Sequence, residues 1–204
     1  MGWETTAWRL ANWDTPLWEA PNRRAGRYNR AGENPTSYLC LHPWGPWAEL
    51  LRWEDRNTPA DVADLSGRVW SVRVMLPDPP RTIGFDDAAA LGVAPEDLVA
   101  EDHAACRDLA DDARGSGELA IIVPSAALPG TSTLVLLGPR VLIPWQLQPI
   151  DIDIDVPAAV IADRAGPPLA VLAYVRWRGS SHAGLDAWRA GGPADFLEPV
   201  PTHI

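Results

Sequence analysis

Hydrophobic positions along this chain come in short bursts whose period shifts between two and nearly four. In "TAWRLANW" (residues 6–13) and "RVWSVRVML" (68–76) apolar and polar residues alternate, which predicts strands. "SYLCL" (37–41), "ELAIIV" (118–123), "STLVLLG" (132–138) and "PPLAVLAYVRW" (167–177) are predicted as further strands. "PWGPWAELLRWE" (43–54) has helical spacing instead: Trp44, Trp47 and Leu51 share one face. At about 100° per residue, Glu49 points away from that stripe, toward water or a pocket. "FDDAAALGV" (85–93), "PEDLVAEDHAACRDLADDARG" (95–115) and "HAGLDAWRAG" (182–191) are also predicted as helices. Residues 14–35, rich in Pro, Asn, Arg and Gly, read as a loop. Strands and helices mix without a regular βαβ rhythm, which favours an α+β fold over a doubly wound sheet.

Composition sharpens this. A chain of 204 residues with 47% hydrophobic content can bury a real core, and its 21 prolines favour loops and short elements. The net charge of −10 disfavours direct nucleic-acid binding. The charge is uneven: residues 1–53 hold six Arg against five acids, residues 54–118 six Arg against fifteen. An anionic small molecule is therefore repelled least by the first quarter of the chain. Two cysteines, Cys40 and Cys106, make no disulfide framework, and reduced thiols in the cytoplasm are the expected state. No signal peptide and no membrane-spanning apolar run is apparent.

Few motifs carry chemistry. There is no dinucleotide-binding glycine fingerprint, no P-loop and no nucleophile elbow. The four histidines are scattered, so no metal is expected. "DIDID" (151–155) looks like the start of a calcium loop, but Val156 and Ala162 stand where the turn glycine and the bidentate glutamate belong. Ser180, Ser181 and His182 read as a turn and helix cap. Arg27, Tyr38 and Glu49 are eleven residues apart in turn. Singly, each has an ordinary surface or core-edge reading. Together they are complementary. Arginine offers a planar donor fork for phosphate, tyrosine a π face for a flat cationic ring, glutamate a carboxylate to stabilise positive charge on a sugar.

"WRLANWDTPLWE" (8–19), "GRYN" (26–29), "SYLCLHPWGPWAE" (37–49) and "VPSAALPGTSTLVLL" (123–137) resemble, in order and spacing, the motifs of the RES-domain family, over roughly residues 8–144. That family takes its name from an Arg, a Glu and a Ser. The resemblance implies an ADP-ribosyltransferase-like α+β fold, a split antiparallel sheet with flanking helices. It implies a RES domain over residues 1–156, with 157–204 as an extension packed on or continuing the same domain. It also implies a toxin of a bacterial toxin–antitoxin module, acting on NAD as substrate without a metal. The partner it implies is an antitoxin with a helix-turn-helix DNA-binding domain, and it leaves room for a homodimer. Carried over by position, Arg27, Tyr38, Glu49 and Ser125 are the catalytic set, and Arg9, Arg27, Tyr28, Tyr38 and Ser125 the NAD-binding set. Tyr28 stands where Trp or Phe is commoner, and "GPRVLIPW" (138–145) lacks the family's Asn-Pro-x-His. NAD hydrolysis or phosphorolysis, protein ADP-ribosylation and a catalytically inactive binding subunit stay open at this point.

Overall fold

In the computed structural model, which describes residues 2–11, 22–138, 147–149 and 166–196, the alternating segments assemble into one mixed sheet. Its strands are β1 (Trp3–Leu10), β2 (Thr36–Cys40), β3 (Val69–Leu76), β4 (Arg81–Thr82), β5 (Ala120–Pro124), β6 (Ser132–Leu137) and β7 (Leu147–Pro149), in spatial order β4-β5-β6-β2-β1-β3-β7. Every pairing is antiparallel except the short edge pair β4–β5. Among the described residues five helices flank it: α1 (Gly45–Glu54), α2 (Pro59–Ala63), α3 (Phe85–Ala90), α4 (Ala104–Gly115) and α5 (Ala183–Arg189). The architecture is α+β, as expected.

The sheet splits in the middle. β1 pairs with β3 over eight residues and β2 with β6 over five, yet β1 and β2 meet at the single register pair Trp8↔Cys40. Two leaves therefore diverge from that point and leave a cleft. Strand patterning follows position. β6 lies between two neighbours, and Leu134, Val135, Leu136 and Leu137 are all buried, as in a strand covered on both faces. In β3, Arg73 and Met75 face out while Val72, Val74 and Leu76 face in.

Helix α1 lies over the cleft. Trp47, Ala48 and Leu51 are buried, and Ala48 and Leu51 pack in one cluster with Val62, Leu128 and Val171. α4 covers the β5–β6 leaf through Cys106, Leu109, Ala110 and Ala113.

Three elements differ from expectation. The helical segment 95–115 is broken into a 3-10 turn, Pro95–Leu98, and α4, which starts only after Asp102 Oδ1 accepts the Ala104 N–H at 2.9 Å. The intervening residues form part of the cleft wall. Segment 167–177 is no strand but a 3-10 turn, Leu169–Ala173, whose Val171 is buried against α1 and α2. A short apolar run fits either state, and here helices supply the apolar surface it packs on. Helix α2 carries a readable signal that the periodicity missed: Thr58 and Asp61 form a reciprocal capping box. "DIDID", Asn12, Trp13 and most of "GPRVLIPW" lie outside the described residues.

Candidate active site

The Gly26–Asn29 turn is clamped to β2 by one phenol. Tyr38 Oη accepts the Tyr28 N–H at 2.9 Å and donates to Asn29 Oδ1 at 2.8 Å. Asn29 Nδ2 in turn donates to the carbonyls of Arg24 and Arg30, at 2.9 and 3.1 Å. A Cβ on Gly26 would stand 2.5 Å from Asn29 Oδ1 and 2.8 Å from Tyr38 Oη, so only glycine fits. The Gly-Arg-Tyr-Asn motif is thus a device for presenting Arg27. Burial pushes the Tyr38 phenol up to about 12, so it stays a neutral donor.

Glu49 is placed by an equally tight contact. A Cβ on Gly45, at the start of α1, would lie 2.5 Å from Cys40 Cβ and 2.8 Å from its Sγ. The helix therefore sits directly on β2, and the face opposite Trp47 and Leu51 turns Glu49 into the cleft. Glu49 is exposed, open to solvent where it borders the main hollow. The protein packed around it pushes its carboxyl up, against the downward pull of the Arg27 and Arg52 charges, an effect that its exposure to solvent weakens.

The cleft holds two adjoining hollows. One, of about 390 Å³, is lined by Gly26, Arg27, Tyr38, Glu49, Arg52 and His103, among others. The second, of about 340 Å³, takes in Arg9. Tyr38, Cys40, Glu49 and Trp53 border both. A hollow of about 410 Å³ at the sheet edge, between residues 76–81 and 116–120, contains none of the expected site residues. Its Arg81 and Glu118 already pair with each other at 3.2 Å.

The main hollow is rich in cations. Arg27 Nη1 donates to the Leu98 carbonyl at 3.2 Å, and Arg52, itself buried, pairs with Glu101. His103 is driven down to about 4, first by burial and then by the Arg27 and Arg107 charges, so it is neutral at pH 7. Arg9, on β1, has a buried Nη1 without a hydrogen-bond partner, and burial lowers its guanidinium from the ordinary value.

Arg27, Tyr38 and Glu49 therefore come together, with Arg9 in the neighbouring hollow. Tyr28 also borders the main hollow while packing into the core, 1% exposed, its ring centroid 6.4 Å from that of Tyr38. Ser125 stands behind the wall. Its Oγ accepts the Leu128 N–H at 3.1 Å, and its neighbours Pro124 and Ala126 do the lining. His182 braces the same turn. Nδ1 accepts the Leu185 N–H at 3.0 Å, so Nε2 carries the proton and donates to the Ser125 carbonyl at 2.9 Å. Arg52 and Trp53, three and four residues after Glu49, were within reach of a helical-face argument. His103 and Arg178 had no comparable signal. Among the described residues no group of three or more His, Cys, Asp or Glu could hold a metal ion, and no helix is long and apolar enough to cross a membrane.

The family model of the RES domain matches residues 6–156. This chain belongs to the RES-domain family. One relative is the probable NAD(+) phosphorylase Rv3189 of Mycobacterium tuberculosis strain H37Rv, 35% identical over 119 residues. That alignment takes in 57% of this chain, which spans about 55% of the relative's length. Among solved structures, a chain of the M. tuberculosis MbcT–MbcA toxin–antitoxin complex has the same fold. Its TM-score is 0.61 at 19% identity, over 74% of this chain and 83% of that one.

Proposed function

We propose that this RES-domain chain cleaves the nicotinamide–ribose bond of NAD, with phosphate or water accepting the ADP-ribosyl group. The observation that carries the reading is the convergence of Arg27, Tyr38 and an inward-facing Glu49 on one cavity. The likeness to a probable NAD(+) phosphorylase supports it and favours phosphate as acceptor. So does the arginine-rich lining, since Arg27, Arg52 and Arg178 suit an anion that must enter beside the substrate.

In this mechanism Tyr38 stacks its ring on the nicotinamide, and Arg27, helped by Arg9, holds a phosphate or ribose hydroxyl. The C–N glycosidic bond breaks with its electron pair going to nicotinamide, which leaves neutral. Positive charge then develops at the anomeric carbon and ring oxygen. The Glu49 carboxylate stabilises that charge and accepts a hydrogen bond from the ribose. A phosphate oxygen attacks the anomeric carbon, giving ADP-ribose phosphorylated there. Water gives ADP-ribose and a proton. Ser125 acts at one remove, fixing the turn that carries Pro124 and Ala126 into the cavity wall, and Tyr28 supports Arg27 from below.

An unrestrained enzyme of this kind would drain the cytoplasmic NAD pool. We therefore infer a cognate antitoxin, of the helix-turn-helix class that the family resemblance implies, whose acidic segment enters the cleft and meets Arg27 and Arg9. Phosphorus NMR of NAD incubated with the chain, with and without added phosphate, tests the acceptor. A phosphate-dependent anomeric phosphate signal is expected. Unchanged products in the two conditions would exclude phosphorolysis.

A further inference from the structure

Trp53 lies on α1 one turn beyond Glu49 and borders both hollows at the cleft mouth. It is 68% exposed, more than any other large apolar side chain among the described residues. Arg178 stands over its face, Cζ 5.4 Å from the ring centroid, with Nη2 donating to the Trp53 carbonyl at a long 3.4 Å. Arg178 comes from beyond residue 156, where the family match ends. Its segment is nevertheless braced against the cleft wall. The Arg176 N–H donates to the Ala127 carbonyl at 2.8 Å, and the Arg176 guanidinium bonds the Val99 and Ser180 carbonyls.

The three arginines of the main hollow differ in their freedom. Arg52 is held by Glu101 and Arg27 by the Leu98 carbonyl. Among the described residues Arg178 has one weak bond to a backbone oxygen and a stacking contact, so it can turn to a ligand at little cost. Trp53 offers a flat apolar face where a purine can stack, and a guanidinium beside it can stack on the base or bond a phosphate. A substrate whose scissile ribose sits at Glu49 must lead its other half out past these two side chains.

We propose that Trp53 and Arg178 form a specificity-determining pair that holds the adenosine and adjoining phosphate of NAD at the cleft mouth, with the segment beyond the family match supplying the arginine. This rests on the NAD reading above. The test combines NAD-cleavage kinetics with calorimetric titration of AMP, which lacks the scissile bond. Trp53→Ala and Arg178→Ala should each raise KM for NAD and weaken AMP binding together, by about tenfold for the tryptophan, while kcat changes far less. Trp53→Phe should restore most of the loss. The proposal is overturned if AMP does not bind the wild type, if AMP binds Trp53→Ala as tightly as wild type, or if the loss falls on kcat with KM unchanged. AMP binding does not depend on turnover. A chain that binds AMP through Trp53 but leaves NAD intact would therefore sink the catalytic reading and not the adenosine site.

Discussion

The hydroxyl of Tyr38 donates to Asn29 Oδ1 across 2.8 Å, and through this bond a strand residue fixes the turn that presents Arg27. Tyr38→Phe keeps the ring but strands the Asn29 acceptor and the Tyr28 N–H. The variant should lose about 1–3 kcal/mol of stability, the cost of leaving a buried polar group unpaired. KM for NAD should rise because the turn that presents Arg27 is loosened. Asn29→Ala should do the same, and the double variant should cost less than the sum. Urea denaturation of all four proteins measures it, and additive losses would mean that the two residues act separately.

Glu49, to which the proposed mechanism gives a role in turnover, also bears on folding. Its carboxyl is pushed up by the protein packed around it, so the folded state holds the proton to higher pH than the unfolded state. Below the unfolded pKa both states are protonated and no cost appears. The cost grows as pH rises through the folded pKa and is complete above it. Glu49→Gln should therefore raise Tm at pH 7, by an amount that disappears in acid, while lowering kcat about a hundredfold or more. Equal Tm values at pH 7 would mean that ionising this carboxyl at the open cleft mouth carries no cost to folding.

Gly45→Ala tests the seating of α1. The added methyl would overlap Cys40, and overpacking of this kind costs about 1–3 kcal/mol. The helix must shift, and Glu49 shifts with it. Activity should fall more steeply than the folded fraction, measured by circular dichroism alongside the rate. Loss in strict proportion to unfolding would show that the helix position does not govern the chemistry.

His103 titrates near 4, held there by burial and by the Arg27 and Arg107 charges. Its folded pKa lies below the unfolded value of about 6.5, so it destabilises the fold as pH falls from 6.5 through 4. An anion bound among those arginines should raise its pKa. An NMR titration of the histidine, with and without inorganic phosphate, should show the upward move. An unchanged value would place the phosphate elsewhere.

Much of this was legible in the chain. β3 follows the two-residue period and β2, β5 and β6 fall on the short apolar runs read as strands, and the helical period already turned Glu49 away from Trp47 and Leu51. The even spacing of Arg27, Tyr38 and Glu49 has no structural meaning of its own, because one lies in a turn, one in a strand and one in a helix. Their convergence was implied by the order of motifs. What stayed hidden depends on long-range contact. Trp53 and Arg178 meet across 125 positions of sequence. The Leu169–Ala173 run reads as a strand until its helical neighbours are known. Ser125 looked like a cavity residue because the motif includes it, whereas it is buried with its Oγ accepting the Leu128 N–H behind the wall.

The central claim is that Arg27, Tyr38 and Glu49 make one site that breaks the nicotinamide–ribose bond. Chromatographic measurement of nicotinamide released from NAD, by purified wild type and Glu49→Gln in phosphate buffer, tests it most directly. The account predicts nicotinamide equal to the NAD consumed with the wild type, and a rate about a hundredfold or more lower with the variant. Folded wild type that leaves NAD intact over hours, or a variant as fast as wild type, would contradict it.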